Sequence, residues 1–266
     1  MTELEFIKHV VGKLDRFYSV LGKTRWIEPP QWLPSEKQFR HGTQHDCLLI
    51  YLKGVRWVSL LNASIVLLES GHVHEMGILC RCMDETFEDM LLFIRNLGPE
   101  DKPTDAQERV LKEFFQEQFE DSSAPMLSTN KRDRVPRDKL RSAIAGLPEN
   151  AVNPHDHARL HGTIYDTYSG YVHGAYPHIM ELYSNNPPQY HMAGMLGTPR
   201  IQEWQRQLID YAYRGVLGAG FAAKRLGEEE IADDSLTLRS EMERRYPQLA
   251  ADPNVLLKEM KKKART

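Results

Sequence analysis

The stretch "CLLIYLKGVRWVSLLNASIVLL", residues Cys47–Leu68, is the longest apolar run in the chain and decides the fold. Lys53, Arg56 and Asn62 interrupt it. A membrane span is expected to carry about 20 mostly apolar residues with few or no charges. The interrupted run therefore predicts a long buried helix, residues 47–70, in a soluble bundle, and we expect no association with a membrane.

Helix signals extend in both directions from this run. Thr2 and Glu5 have the spacing of a capping box, and the amphipathic pattern that follows them stops at Gly22. Asn153 is a predicted N-cap with Pro154 at the first helical position, and this helix is expected to run to Pro177. Further helices are predicted over residues 72–96, 105–119, 137–145 and 201–227.

The sequence contains no alternation of period two that is long enough for a strand. We predict an all-α fold, a helical bundle with four long core helices and additional short helices. The bundle domain is expected to cover residues 1–227, with Pro-rich loops at 23–46 and 184–200 and a polar insertion at 121–136. Residues 228–266 are predicted to form a polar C-terminal helix and a basic tail.

Composition excludes some classes of partner and points to a compartment. The chain has 266 residues, a formal net charge of −3 and a pI near 6.4. This balance gives no overall attraction to nucleic acid or to an anionic membrane, so any such binding has to be local. The three cysteines cannot all pair within one chain, and Cys80 and Cys82 are interpreted as small core residues in a reducing compartment. Residues 1–21 are charged throughout and lack the pattern of a signal peptide, so we expect a cytoplasmic protein.

The stretch "TYSGYVHGAYPH", residues Thr167–His178, is the first candidate for chemistry. A helix turns about 100° per residue, which gives this stretch two surfaces. Tyr168 and Tyr171 join an aromatic core face. Ser169 and His173 are four residues apart, so their side chains can meet in a small polar stripe.

A second polar pair lies in the predicted helix over residues 72–96. Arg81 and Glu85 are four residues apart and therefore share a helix face. Two interpretations are open: an ordinary surface ion pair, or a pair partly buried against another helix, because Ile78 and Leu92 lie in the same row. A buried arginine–glutamate pair presented to a histidine would indicate a functional site.

The segments "LLESGHVHEMGILCRCMDETFEDML" and "YSGYVHGAY" resemble an uncharacterised family of bacterial helical proteins, with R-x-x-x-E on one helix and S-x-x-V-H on a later one. That family is similar to the HEPN superfamily of helical bundles, many of whose members are metal-independent RNases in toxin–antitoxin and phage-defence systems. The resemblance covers residues 47–96 and 157–183. It implies a homodimer that binds RNA or a nucleotide without a cofactor, and a catalytic set of Arg81, Glu85, Ser169 and His173.

The resemblance also implies a mechanism. His173 would act as general acid or base on a ribose 2′-hydroxyl, and Arg81 would steady the phosphate. The two helices that carry them would have to pack together, within the chain or across a dimer. One feature departs from the superfamily: no arginine precedes His173 at the usual spacing of four to six residues, and the candidate on that helix, Arg159, lies much further along.

A histidine-rich segment offers a different chemistry. His157 and His161 are four residues apart, so both could face one metal ion on a helix. The pattern is not H-E-x-x-H, and no glutamate completes the E-x-x-H repeats of di-iron bundles. Both histidines also fall on the aromatic core face. We therefore predict no metal, and keep His157 and His161 as the alternative.

Two basic runs, residues 131–139 and 258–265, are either RNA contacts or solvated, flexible charge. Three functions remain open. The protein binds or cleaves RNA or a nucleotide, as a toxin or phage-defence component would. It is instead a non-catalytic interaction or regulatory protein with a protein partner, in which the same residues tie helices together. The third is a metal-dependent bundle enzyme, which requires His157 and His161 to meet a carboxylate.

Overall fold

The computed structural model describes residues 1–94, 103–120, 124–130, 134–146 and 153–250, without the side chains of Ile94, Pro154 and His157. Most of these residues are helical, so the prediction of an all-α bundle is confirmed. The described helices are α1 (Glu3–Leu21), α2 (Asp46–Ser70), α3 (Val73–Ile94), α4 (Asp105–Phe115), α5 (Arg137–Ala145), α6 (Pro154–His173), α7 (Tyr176–Met180), α8 (Arg200–Leu226) and α9 (Glu229–Arg245).

Helix α2 is the centre of the bundle and packs against α1, α3 and α8. The His45 side chain caps its start by accepting a hydrogen bond from the Leu48 N–H, and Gly71 ends it with a left-handed φ of 81°. By length and composition alone, α2 could cross a membrane. Half of its apolar window is buried inside the bundle, however, which is the pattern of a core helix in a soluble protein.

Trp57 of α2 joins three helices at the core. Its ring lies 5.3 Å from the Phe87 ring of α3 and 6.1 Å from the Tyr211 ring of α8, measured between centroids. A Cβ atom at Gly215 of α8 would lie only 2.7 Å from the Trp57 Nε1. The glycine therefore allows α8 to approach α2 closely enough for this contact.

Helix α9 extends the same core along α8. Ile231, Leu238 and Met242 are buried and belong to the cluster of core residues. The basic tail predicted beyond this helix, residues 251–266, lies outside the described part of the chain.

Capping signals predicted helix starts correctly. The Thr2 hydroxyl accepts from the Glu5 N–H at 3.2 Å, and the Glu5 carboxylate accepts from the Thr2 N–H at 2.7 Å. The Asn153 side chain likewise caps α6 by accepting from the His155 N–H at 3.0 Å. In both cases the signal depends only on residues within three positions of the cap, so it can be read from the sequence.

Three predictions of local structure were wrong. Helix α6 ends at His173, because Gly174 has a left-handed φ of 60°, and Pro177 lies in the first turn of α7 instead of ending α6. Helix α4 ends at Phe115 rather than at residue 119. The two Pro-rich loops each contain a small antiparallel hairpin, β1 (Gln31–Leu33) with β2 (Gln38–Arg40) and β3 (Tyr183–Asn185) with β4 (Pro188–Tyr190). Strands of three residues are too short to show a period of two.

Glycine-to-alanine substitutions in α1 and α2 are expected to change the free energy of unfolding in opposite directions. In α2, a Cβ at Gly54 would overlap the buried Tyr18 ring, so Gly54→Ala should lower the free energy of unfolding by about 1–3 kcal/mol. In α1, Gly12 is exposed and has no atom within 4 Å of its missing Cβ. Gly12→Ala should raise the same quantity by about 1 kcal/mol, because alanine favours helix. Urea denaturation of the two variants measures both, and equal signs would contradict the packing described above.

Candidate functional site

Helices α3 and α6 carry all four candidate catalytic residues, and they pack together as the mechanism requires. The helices are antiparallel, because the residue number on α6 falls as the number on α3 rises from contact to contact. The contacts that show this are Gly77–Tyr171, Arg81–Tyr165 and Glu88–His161.

The Arg81–Glu85 pair lies against α6. The Arg81 Nε donates to the Glu85 Oε1 at 2.9 Å, and its Nη1 donates to the Tyr165 carbonyl oxygen at 3.1 Å. The guanidinium carbon is 3.0 Å from the centroid of the Tyr165 ring. The Arg81 side chain is only 11% exposed, so the second interpretation of this pair, partial burial against another helix, applies.

Ser169 and His173 face outward on the same helix. His173 is exposed and Ser169 half-buried, and neither side chain makes a hydrogen bond or ion pair within the described residues. The Tyr165 carbonyl that Arg81 binds is one helical turn from Ser169 and two turns, about 12 Å, from His173. The structure therefore brings Arg81 and Glu85 together against α6, with Ser169 one helical turn from the carbonyl that Arg81 binds and His173 further along the row.

Gly170, Tyr171 and His178 of "TYSGYVHGAYPH" pack the chain against itself. A Cβ at Gly170 would overlap the imidazole of His178, which lies on that glycine. The His178 Nε2 is 3.0 Å from the Thr167 carbonyl oxygen, and its ring centroid is 4.4 Å from that of Tyr171. Tyr171 in turn occupies the space where a side chain at Gly77 would be. Most of the stretch is thus a packing motif that holds α7 to α6 and α6 to α3.

A buried ionic cluster lies beside Arg81, where α3, α5 and α6 meet. The Glu88 side chain is 2% exposed and accepts from the Arg141 Nε at 2.7 Å, while the His161 Nδ1 lies 3.4 Å from the same carboxylate oxygen. Burial alone would raise the pKa of Glu88, but hydrogen bonding to His161 and Arg141 and the charge of Arg141 outweigh it and lower this pKa. The cluster ties three helices together.

The arginines of α5 are partners of α3 that the sequence motifs did not indicate. The Arg137 Nη1 donates to the Asp89 Oδ1 at 2.5 Å, and the Lys53 Nζ of α2 binds the other oxygen of the same carboxylate. Arg137 and Arg141 are four residues apart on a predicted helix, as Glu85 and Asp89 are on α3. The contacts do not follow this spacing, however, because Arg141 pairs with Glu88 and not with Glu85, so no local signal in the sequence indicates them.

A second buried network links α3 to α8. The Asp84 Oδ2 accepts from the Tyr211 hydroxyl at 2.9 Å, and its Oδ1 accepts from the Arg214 Nη1 at 2.8 Å. Burial raises the pKa of Asp84 despite the opposing effect of Arg214. No candidate from the sequence falls in this network, and its contacts join core helices.

The structure does not favour the metal alternative. His161 shares the Glu88 oxygen with the Arg141 guanidinium, a cation in the place that a metal would take. The His157 side chain lies outside the described residues.

Possible ligand atoms of His45, Asp46 and Cys47 also lie within 4.8 Å of one another. Asp46, however, binds Arg225 at 2.7 Å, and the His45 Nδ1 caps α2. Burial, with the charge of Asp46, raises the pKa of the Cys47 thiol to about 11, so the thiol stays protonated. This group is a helix cap joined to α8 by an ion pair.

No protein family, curated protein or solved structure matches this chain. The resemblance to HEPN bundles therefore stays a prediction based on the two short motifs.

The packing role of the motif can be tested within α6. Gly170→Ala should displace His178 and lower the free energy of unfolding by about 1–3 kcal/mol. Gly162→Ala is the matched control on the same helix, because no atom lies within 4 Å of its missing Cβ. The control should be neutral or stabilising by up to about 1 kcal/mol. If thermal denaturation shows that Gly170→Ala is as stable as the control, His178 does not pack on α6 as described.

The lowered pKa of Glu88 predicts a dependence of stability on pH. A carboxyl whose pKa is lower in the folded state stabilises the fold above its unfolded pKa, and this contribution is lost as pH falls through the folded pKa. Glu88→Gln should destabilise the protein at pH 7 by about 3 kcal/mol, since it leaves Arg141 buried without a counter-charge. The difference in melting temperature from wild type should shrink as pH falls below 4.5, the ordinary pKa of a glutamate, and through the lower pKa of Glu88 in the folded protein. Glu75→Gln, on an exposed position of α3, is the control and should show neither effect.

Proposed function

We propose that this protein acts on RNA, in the cytoplasm, through a metal-independent reaction at Ser169 and His173. The observation that carries the proposal is the contrast within one motif. Tyr168, Gly170, Tyr171 and His178 are occupied by packing, whereas the half-buried Ser169 and the exposed His173 make no polar contact within the described residues. A ligand is therefore the expected partner of this pair.

The chemistry that fits the pair is transfer of a phosphoryl group within RNA. His173 removes the proton of a ribose 2′-hydroxyl, and the 2′-oxygen attacks the adjacent phosphorus. The bond from phosphorus to the 5′-oxygen breaks, and the departing oxygen takes up a proton. The products are a 2′,3′-cyclic phosphate and a 5′-hydroxyl end.

Arg81 supplies positive charge on the Ser169 side of this pair, because the Tyr165 carbonyl that it binds is one helical turn from Ser169 and two turns from His173. Its contacts to Glu85 and Tyr165 use two of the five N–H donors of the guanidinium, which leaves donors for a phosphate oxygen near Ser169. Glu85 and the Tyr165 ring hold the group in place, so it is a fixed rather than a mobile cation.

The proposal includes a homodimer. Val172 and Tyr176 flank His173 and are 46% and 76% exposed. An apolar surface around a polar pair is the arrangement expected where a second copy covers a site.

A non-catalytic interaction protein is the second candidate, and the burial of Arg81 favours it. A side chain that is 11% exposed and bonded to two partners is explained by helix packing alone. In that case the exposed end of α6 is a surface for a protein partner, and no reaction occurs there.

The two candidate functions differ in whether the protein cleaves RNA. Purified protein is incubated with a mixed RNA pool in EDTA, and the products are separated by gel electrophoresis. Wild type should cleave and leave cyclic phosphate ends, and His173→Ala should reduce the rate at least about 100-fold, the usual contribution of a general acid or base.

His155→Ala is the matched control, because His155 is also an exposed histidine on α6 but lies at the opposite end. It should cleave like wild type. Equal loss in both variants, or no cleavage by wild type, would reject the catalytic proposal in favour of the interaction protein.

A further inference from the structure

An open groove lies between α4 and the chain that leads into α5. Its volume is about 590 Å³, which falls within the range of about 300–1,000 Å³ for small-ligand sites. One wall is α4, and the other is formed by residues 134–140. Val135 and Leu140 supply an apolar part of the lining, and Leu140 is itself buried.

The lining of this groove is strongly cationic. It contains four cations, Arg109, Lys112, Arg134 and Lys139, against the single carboxylate of Asp105, a formal charge of +3. The whole chain has a formal net charge of −3. Positive charge is therefore concentrated here against the overall balance, which raises the local concentration of anions.

The cations of the groove differ from the other cations of α5. Arg137 and Arg141 point towards α3 and are paired with Asp89 and Glu88 at 2.5 and 2.7 Å. Lys139, between them in sequence, is exposed towards the groove and makes no hydrogen bond or ion pair with any residue that the structure describes. Helix α5 thus has one face whose positive charges are neutralised by α3, and another face on which the charge of Lys139 is not neutralised by any described residue.

Arg109 and Arg134 are also exposed and, within the described ranges, have no hydrogen-bonded or ionic partner. Like charges gathered in one groove repel one another, so the fold gains no stability from placing Arg109, Arg134 and Lys139 together. In an adjoining cavity of about 160 Å³, by contrast, the cations have a counter-charge. Lys53 and Arg137 there both bind the Asp89 carboxylate.

We propose that this groove binds the phosphate groups of a nucleotide ligand, with RNA as the source. The planar guanidinium groups of Arg109 and Arg134 suit bidentate contact with phosphate oxygens, and Lys139 adds a point charge. Val135 and Pro136 provide an apolar surface for a base or ribose. Binding here requires neither Ser169 nor His173, so the inference goes beyond the proposed reaction.

The test measures binding without cleavage. A fluorescent single strand of about 12 nucleotides is used, within the site sizes of single-strand-binding proteins. It is made with 2′-O-methyl ribose, which has no 2′-hydroxyl to react. Because each neutralised phosphate contributes roughly 0.7 to the slope of log K against log salt, three to four contacts predict a slope between about −2 and −3.

Arg109→Glu and Lys139→Glu should each weaken binding about tenfold or more, and Arg109→Ala should reduce the salt slope by roughly 0.7 to 1. Arg16→Glu is the control: Arg16 is exposed on α1, which packs on α2 and α8, and the substitution makes the same change in charge. It should bind like wild type. Equal weakening by Arg16→Glu, or unchanged binding by Arg109→Glu and Lys139→Glu, would overturn the proposal.

Competition with ATP and with inorganic phosphate identifies the source of the phosphate. Displacement of the strand only by unlabelled RNA supports RNA, and displacement by ATP at similar concentration supports a free nucleotide in the same groove. If the protein binds the strand but does not cleave RNA, the proposed binding in the groove is retained and the reaction at His173 is rejected. If wild type cleaves RNA but the groove variants bind like wild type, the reaction at His173 is retained and the proposed binding in the groove is rejected.

Discussion

The close approach of α3 and α6 is the constraint on which the candidate site depends. Tyr171 occupies the space above Gly77, and any side chain at that glycine would hold the helices apart. At this separation the Arg81 guanidinium reaches both the ring and the carbonyl oxygen of Tyr165. Wider spacing would leave Arg81 without these contacts and Glu88 without His161.

Charge is distributed over the molecule by the same packing. Glu88 and Asp89 of α3 point to α5 and α6, where Arg137, Arg141 and His161 meet them. Burying carboxylates without such partners would be strongly unfavourable, so the arginines on this side of α5 are required by the fold. The cations on the opposite side, Lys139 among them, are not required in this way. The arginines that face α3 therefore stabilise the fold, whereas the charge of Lys139 is available to a ligand.

The stretch "TYSGYVHGAYPH" combines two kinds of residue. Its glycines, Tyr171 and His178 form the joint between α6, α7 and α3, and each has a close neighbour that explains its identity. Ser169 and His173 have no such neighbour among the described residues. A motif built this way keeps an exposed pair on a rigid support, because the packed residues fix the helix that carries it.

The sequence by itself determined the elements whose causes are local. Helix caps at Thr2 and Asn153, the glycine stop at Gly71 and the amphipathic pattern of α1 all act within a few residues, since helical hydrogen bonds join positions four apart. The Arg81–Glu85 and Ser169–His173 spacings follow from the same periodicity.

Only the tertiary structure decided what those side chains meet. Nothing local to Arg81 indicates Tyr165, which is 84 residues away, or indicates that Arg109 and Lys139 line one groove. Such contacts depend on the angle and distance between helices, which the whole core sets through steric fit. The left-handed turn at Gly174 that ends α6 before Pro177 is part of the same packing, because it returns His178 to Gly170.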